Sequence, residues 1–154
     1  MTDLGSPASA PRAALPAGDG HGGAQSGNAS APQASHAAHG QPALIALDWG
    51  TTALRAYLFD AAGQLLETRA STAGIMNLPR AAHEGGFDVA FDAVCGGWLD
   101  RVADVPVIAA GMVGSAQGWK EAPYVETPAS ADAIVHGIVR VQTARGATLH
   151  IVPG

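Results

Sequence analysis

The chain has 154 residues, of which 47% are hydrophobic, and a formal net charge of −5. This length and composition fit a soluble globular protein with a buried core, and no apolar run is long enough to cross a bilayer. The acidic balance, without any cluster of Lys or Arg, argues against nucleic acid or a membrane surface as the main partner and leaves a small molecule as the expected ligand.

Residues 1–41 differ in composition from the rest of the chain. Ala, Gly, Ser and Pro dominate them, their only charged side chains are two aspartates and one arginine, and large apolar side chains are almost absent. Such a segment cannot bury a core, so we expect a disordered tail over 1–41 and a folded domain over 42–154. His36 and His39 in the tail have no Cys or acidic partner at metal-ligand spacing, which favours a solvated pair over a metal site.

The folded part opens with three predicted strands. Ala43–Asp48 is a short apolar run that ends in an acidic residue before Gly50, which is typical of a buried strand entering a tight turn. Leu54–Asp60 alternates between two faces, and Gln64–Ser71 follows after a second turn, so the three segments predict an antiparallel meander. The two faces of the second strand carry Leu54, Ala56 and Leu58 on one side and Arg55, Tyr57 and Phe59 on the other.

A helix and a further strand come next. Apolar residues recur at helical spacing over Phe87–Ala103, and Pro106–Ala110 is an apolar run that ends before Gly111. The single cysteine, Cys95, excludes an internal disulfide and lies in the helical pattern, where a lone thiol is usually a small core residue. A lone cysteine also fits a reducing cytoplasm, which we expect as the location. The order βββαβ indicates an α/β fold.

The last part of the chain is expected to hold one more helix and one more strand. Residues 111–128 are rich in Gly, Pro and aromatic residues without a clear period, which predicts irregular loops or a short helix between loops. Ser130 is a candidate N-cap for a helix over Ala131–Thr143, and Thr148–Val152 is a final apolar strand.

The turn between the first two strands carries the residue types that bind nucleotide phosphates. Gly50 lets backbone N–H groups approach closely, and Thr51 and Thr52 add hydroxyl donors. Asp48 can hold Mg²⁺ through water, and Arg55 can neutralise negative charge. An ordinary hairpin turn is the alternative, because Asp and Gly are frequent in turns for backbone reasons alone. In its hairpin context the segment resembles the first phosphate motif of the sugar-kinase, actin and heat-shock-chaperone superfamily.

A second motif, AGMVGSAQGWKEAPY over 110–124, follows directly on a predicted buried strand. Its glycines lack the order of a P-loop, no G-x-G-x-x-G follows the first strand, and Ser115 lacks the flanking glycines of a serine-hydrolase elbow. The run resembles the signature of the 2-dehydro-3-deoxygalactonokinase family, as do DWGTTALRAYLFD at 48–60 and HIVPG at 150–154. The resemblance covers roughly residues 43–154.

This resemblance implies an actin-like (ribonuclease H-like) sugar-kinase N-terminal lobe with a mixed sheet. It also implies a kinase that uses ATP and Mg²⁺ to phosphorylate the terminal hydroxyl of 2-dehydro-3-deoxy-D-galactonate in D-galactonate breakdown. The phosphate side would consist of Asp48, which would also be the metal ligand, with Gly50, Thr51, Thr52 and Arg55. The sugar-acid side, at the carboxyl end of a strand, would consist of Gly111, Met112, Gly114, Ser115, Trp119, Lys120 and Tyr124. The rings of Trp119 and Tyr124 would stack on the sugar acid. For each ring, packing in the protein core is the alternative.

Full-length members of the family are longer and have two lobes that close over the substrates. Their R-G-E-E-T-Q-type acidic motif, their adenosine-binding segments and any general base these contribute lie beyond the position that matches Gly154. We therefore expect a truncated chain with little turnover of its own, because phosphoryl transfer needs charge stabilisation from all sides. A non-catalytic nucleotide-binding module of the same superfold is the alternative function.

Overall fold

The computed structural model describes residues 40–154, so the disordered tail expected over 1–41 lies almost entirely outside the described residues. Neither described α-helix is long and apolar enough to span a bilayer. The elements in chain order are β1 (Pro42–Trp49), β2 (Leu54–Asp60), β3 (Leu65–Ser71), α1 (Gly86–Leu99), β4 (Val107–Ala110), α2 (Ala131–His136), β5 (Val139–Gln142) and β6 (Thr148–Ile151). Single turns of 3₁₀-helix at Ala82–Glu84 and Met112–Gly114 precede α1 and follow β4.

The six strands form one mixed sheet in the order β3-β2-β1-β4-β6-β5. Strands β1, β2 and β3 pair antiparallel in sequence, which confirms the predicted meander. Strand β4 pairs parallel with β1, β6 pairs parallel with β4, and β5 lies antiparallel to β6 at the edge of the sheet. The carboxyl ends of β1, β4 and β6 therefore lie side by side at one edge, next to the turn between β1 and β2.

One face of the sheet packs against α1 to form the core. Alternate residues of the central strands are buried, and the two faces predicted for β2 are confirmed because Leu54, Ala56 and Leu58 are the buried set. Cys95 is buried in the helix, as predicted. The helix contributes the other apolar side chains that its spacing predicts, namely Phe87, Ala90, Phe91, Val94 and Trp98.

Arginine side chains contact α1 on both of its flanks. Arg69 on β3 donates from Nη1 to the carbonyl of Val94 at 3.0 Å. On the other flank, Arg145 in the β5–β6 turn pairs with Asp92 and Asp100, each at 2.6 Å. These hydrogen bonds raise the pKa of the Arg145 guanidinium above its ordinary value. The helix is thereby fixed across the sheet by contacts from strands far apart in sequence.

The helix boundaries depart from the sequence prediction in two places. Helix α1 ends at Leu99 rather than Ala103: the N–H of Arg101 bonds only three residues back, to the carbonyl of Trp98 at 3.0 Å, and the chain then passes through the left-handed residue Asp104 (φ 62°) before β4. Ser130 caps α2 as predicted, accepting from the N–H of Ala133 at 3.1 Å. The helix predicted through Thr143 was wrong beyond His136: residues 139–142 form β5, since β-branched Val at alternate positions pairs with β6 in place of a helical turn.

The burial of Cys95 predicts low chemical reactivity. Desolvation inside the core raises the pKa of the Cys95 thiol to about 12, and the thiolate is the reactive form. At mildly alkaline pH we expect the native chain to react with a thiol reagent at least about a hundredfold more slowly than the urea-denatured chain. A colorimetric thiol assay measures both rates, and fast stoichiometric labelling of the native chain would contradict the burial.

Candidate functional site

The candidate site lies at the sheet edge where β1, β4 and β6 end. Asp48 near the end of β1 pairs with Ala110 at the end of β4, and β6 lies parallel on the other side of β4. The three segments that follow these strands, 50–53, 111–119 and 152–154, therefore lie next to each other. Both sequence motifs fall on this edge, which is where open α/β sheets bind ligands.

The phosphate motif forms the tip of the β1–β2 hairpin. Asp48 and Arg55 lie opposite each other in the strand register, and Nη1 of Arg55 is 3.1 Å from Oδ2 of Asp48. Both side chains are about half exposed, at 55% and 53%, so this ion pair is open to solvent. They alternate with the buried residues Leu47, Trp49 and Leu54, which places them on the sheet face opposite α1.

The turn itself carries several hydrogen-bond donors. The N–H of Gly50 donates to the carbonyl of Ala53 at 2.9 Å, which closes the turn. Thr51 and Thr52 are exposed, and within residues 40–154 no acceptor lies in hydrogen-bond geometry with their backbone N–H groups. The turn thus carries two backbone N–H groups and two hydroxyls at the end of β1, and successive backbone N–H groups can form an anion-binding concavity.

The turn is hydrogen-bonded to a second segment, Ala73–Asn77, which the sequence did not indicate as part of the site. The N–H of Ile75 donates to the carbonyl of Gly50 at 3.1 Å, and that of Met76 donates to the carbonyl of Thr51 at 3.0 Å. These bonds satisfy the carbonyls of Gly50 and Thr51. We call residues 73–77 the supporting segment.

Gly74 allows the supporting segment to lie this close to the turn. A Cβ atom at this position would overlap the carbonyl oxygen of Thr51 and the amide nitrogen of Thr52, both of which are backbone atoms that cannot rotate away. A glycine a few residues beyond a predicted strand was the available sequence signal for this contact.

A cavity of about 240 Å³ opens at the ends of β4 and β6. Its far wall consists of Val152, Pro153 and Gly154, and the N–H of Val125 donates to the carbonyl of Gly154 at 3.0 Å, which holds this wall in place. The rest of the wall includes five residues predicted for the sugar-acid side: Gly111, Met112, Gly114, Ser115 and Tyr124. The structure therefore brings most of that predicted set to one place.

Gly111 joins the cavity loop to the phosphate hairpin. Its φ of +102° is strained for any residue with a side chain, and a Cβ here would lie 2.8 Å from the carbonyl oxygen of Trp49. The loop that lines the cavity thus runs directly against the end of β1, and the two motifs share a backbone contact.

Several donors expected to face an anionic ligand are engaged within the loop. The N–H of Gly114 donates to Gly111 at 3.1 Å, and the N–H and hydroxyl of Ser115 both donate to the carbonyl of Met112, at 3.0 and 2.8 Å. The 3₁₀ turn at 112–114 accounts for these bonds. With its proton engaged on Met112, the Ser115 hydroxyl can only accept a further hydrogen bond in this conformation.

Two predicted sugar-acid residues lie outside the walls of this cavity. Trp119 is partly buried and stacks on Phe87, with ring centroids 5.5 Å apart and planes at 11°, which is the core-packing alternative for this residue. Lys120 donates from Nζ to the carbonyl of Arg140 on β5 at 2.9 Å. Tyr124, by contrast, is 80% exposed at the mouth of the cavity.

A larger cavity, of about 670 Å³, lies between α1 and the β5–β6 turn. Its polar groups are already paired: Arg145 holds Asp92 and Asp100, and the N–H of Ala144 donates to Asp88 at 2.6 Å. Since it is also away from the carboxyl ends of the parallel strands, the smaller cavity is the better candidate for a ligand site.

The described residues contain no group of three or more His, Cys, Asp or Glu side chains arranged to hold a metal ion. Asp48 is the single carboxylate at the hairpin tip. Protein-bound Mg²⁺ is commonly held by one or two carboxylates together with substrate phosphates and water. The residues present therefore fit a Mg²⁺ ion that arrives with a nucleotide, and they do not form a metal cage of their own.

Comparison with known proteins places the chain in a kinase family. The profile of the family described as 2-keto-3-deoxy-galactonokinase matches residues 48–154, which is well over half of the chain. The chain belongs to this family. A curated relative from Escherichia coli (strain K12), named 2-dehydro-3-deoxygalactonokinase, is 40% identical over 111 residues. A relative from Rhizobium meliloti (strain 1021), provisionally given the same name, is 40% identical over 88 residues.

A solved structure from Sinorhizobium meliloti, provisionally named 2-dehydro-3-deoxygalactonokinase, is similar with a TM-score of 0.60 and 33% sequence identity. The matches cover 71%, 55% and 72% of this chain in the order given. They cover only 34%, 26% and 35% of the three relatives, so the chain spans about a third of their length.

The close approach of the supporting segment to the turn can be tested with a matched pair of glycine substitutions. Gly74→Ala should destabilise the chain by about 1–3 kcal/mol, because its methyl group would overlap backbone atoms. Gly97→Ala on the exposed side of α1 meets only the end of the Arg69 side chain, at 3.4 Å, and should stabilise by about 0.5–1 kcal/mol. Urea unfolding measures both, and equal effects of the two substitutions would contradict the contact.

Proposed function

We propose that this chain supplies the phosphate-binding and sugar-acid-binding surfaces of an ATP-dependent kinase that acts on 2-dehydro-3-deoxy-D-galactonate in cytoplasmic D-galactonate breakdown. The observation that carries the proposal is the junction of the Gly-Thr-Thr turn and the 240 Å³ cavity at one sheet edge. Family membership supports the substrate class, since the Escherichia coli relative is named for it.

The hairpin tip would bind the ATP phosphates. Phosphoryl transfer requires mainly positioning and charge stabilisation, and the N–H groups of Thr51 and Thr52, on a turn whose carbonyls bond to the supporting segment, would be the donors. Arg55 adds a full positive charge beside them, and its guanidinium can engage phosphate oxygens in a bidentate manner. Gly50 keeps the approach to the backbone open.

Asp48 would hold Mg²⁺ together with phosphate oxygens and water. The ion, when bound, supplies charge neutralisation of the transferring phosphoryl group. The task of Asp48 is then to orient that assembly at the end of β1, a short distance from the cavity loop. Its ion pair with Arg55 keeps both side chains at the hairpin tip before the nucleotide arrives.

The cavity at the ends of β4 and β6 would hold the sugar acid. The hydroxyl of Ser115 can accept hydrogen bonds from sugar hydroxyls, and the exposed ring of Tyr124 offers an apolar face to the carbon chain. Lys120 lies outside the cavity walls and donates to the carbonyl of Arg140, so we assign it no direct contact with the ligand. Trp119 would act from the core, by supporting the loop.

The described domain would correspond to the N-terminal lobe of an actin-like kinase. The mixed sheet order and the similarity to the Sinorhizobium meliloti structure support this assignment. In the relatives, the two thirds of the length that this chain does not match would supply the second lobe, the adenosine site and the general base. Closure of that lobe would exclude water from the transferring phosphoryl group.

Phosphate binding at the hairpin can be tested with inorganic tripolyphosphate as the probe. Arg55→Met should weaken its binding about tenfold, because a charge-assisted hydrogen bond to phosphate is lost. Arg101→Met is the matched control, since Arg101 is also exposed and also lies 3.1 Å from a single carboxylate, that of Glu67. NMR titration of the Thr51 and Thr52 amides measures both affinities. Equal weakening by the two substitutions, or no response of these amides, would count against the phosphate site.

Kinase activity can be tested in a chimera where residues 43–154 replace the matching third of the Escherichia coli relative. We expect turnover of 2-dehydro-3-deoxygalactonate in a coupled ADP-release assay, and little turnover from the chain by itself. In the chimera, Asp48→Asn should lower kcat about a hundredfold with little change in KM for the sugar acid. Asp132→Asn on α2 is the control and should change neither value. An inactive chimera would contradict the function, and an unchanged kcat would remove Asp48 from it.

A further inference from the structure

One buried side chain, that of Trp49, contacts both halves of the candidate site. Trp49 is the last residue of β1, lies between Asp48 and Gly50 in the chain, and is 0% exposed. Its indole Nε1 donates to the carbonyl of Ala73 at 3.0 Å, a buried hydrogen bond that ties the supporting segment to the end of β1. The phosphate turn is therefore anchored through this indole.

The same indole packs against the loop that lines the cavity. The rings of Trp49 and Trp119 meet edge to face, with centroids 5.8 Å apart and planes at 72°. The N–H of Trp119 donates to the carbonyl of Val113 at 2.9 Å, which ties the backbone of Trp119 to the start of the loop. Gly111, at the beginning of that loop, lies against the carbonyl of Trp49.

We propose that Trp49 is a positioning residue that couples the phosphate turn, residues 50–53, to the sugar-acid loop, residues 111–119. The names of these two segments rest on the proposed function, whereas the coupling itself requires no ligand. Withdrawal of the indole breaks the bond to Ala73 on one side and the aromatic contact on the other, so both segments loosen together. The phosphoryl donor and acceptor would then lose their alignment, on which phosphoryl transfer depends.

Amide hydrogen exchange on the full chain tests the coupling. Trp49→Phe removes the indole N–H that bonds Ala73, and its smaller ring weakens the edge contact with Trp119. The amides of Ile75 and Met76 report on the phosphate turn because they donate to the carbonyls of Gly50 and Thr51. Those of Trp119 and Ala122 report on the loop because they donate to the carbonyls of Val113 and Gly114. We expect exchange at both pairs to rise about tenfold relative to the amides of α1, as for the loss of one buried hydrogen bond.

Trp98→Phe is the matched control. Trp98 is as buried, at 1% exposure, but its Nε1 meets no acceptor in hydrogen-bond geometry within the described residues, although it approaches the Glu67 carboxylate. The substitution removes the same atoms without breaking such a bond, so the exchange ratios of both amide pairs should stay unchanged. An equal rise in the two variants would show a general loss of stability and would overturn the proposal.

A second variant, Trp119→Leu, tests the coupling from the other side in case Trp49→Phe does not fold. Because coupling is reciprocal, Trp119→Leu should speed exchange at Ile75 and Met76, on the far side of Trp49. Loosening of only one segment in either variant would show that the segments are independent, and the proposal would be wrong. Tripolyphosphate titration of the unsubstituted chain tests the proposed function separately from the coupling. Absence of binding would contradict the kinase function, and the exchange rates would still decide whether Trp49 couples the two segments.

Discussion

The parallel pairing of β1 with β4, and of β4 with β6, is the constraint on which the candidate site depends. Parallel strands need long crossover connections, and here α1 supplies the first of them by packing on the face that buries the central strands. Once the strands are parallel, their carboxyl ends lie at one edge. Two motifs more than fifty residues apart in sequence then become neighbours, and the loop glycine at 111 can rest against the carbonyl of Trp49.

Most of the fold could be predicted from the sequence because the signals were strong and local. The alternation of Leu54–Asp60 and the helical spacing after Phe87 specify their elements through burial on one face, and the structure has both. The end of α2 could not be predicted, because the Val-rich segment 139–142 becomes a strand only through pairing with β6. The alternation of Val139 and Val141 is a strand signal, but over four residues it is too short to separate an edge strand from the last turn of a helix.

The candidate site was predictable in its position but less so in its hydrogen bonding. Residue types in the cavity loop indicated donors for an anion, yet a tight 3₁₀ turn uses the N–H groups of Gly114 and Ser115 internally. The supporting segment was missed for a related reason: its contribution comes from backbone contacts with the turn, which leave no side-chain pattern beyond a single glycine. The core role of Trp119 also depends on tertiary packing, since an aromatic residue in a Gly-rich loop can serve a core or a ligand.

The ion pair at the hairpin tip is well suited to be exchanged for a ligand. Asp48 and Arg55 are both about half exposed, and an exposed pair of this kind contributes only about 0–1 kcal/mol to stability. Breaking it to place Arg55 on a phosphate and Asp48 on a cation therefore costs little. A buried pair would resist such an exchange, because either charge left without its partner would carry a large desolvation penalty. Solvent exposure leaves both side chains able to change partners. The hydrogen bonds of the supporting segment and of Trp49 hold the main chain of the hairpin, so only the two charged side chains need to move when a ligand binds.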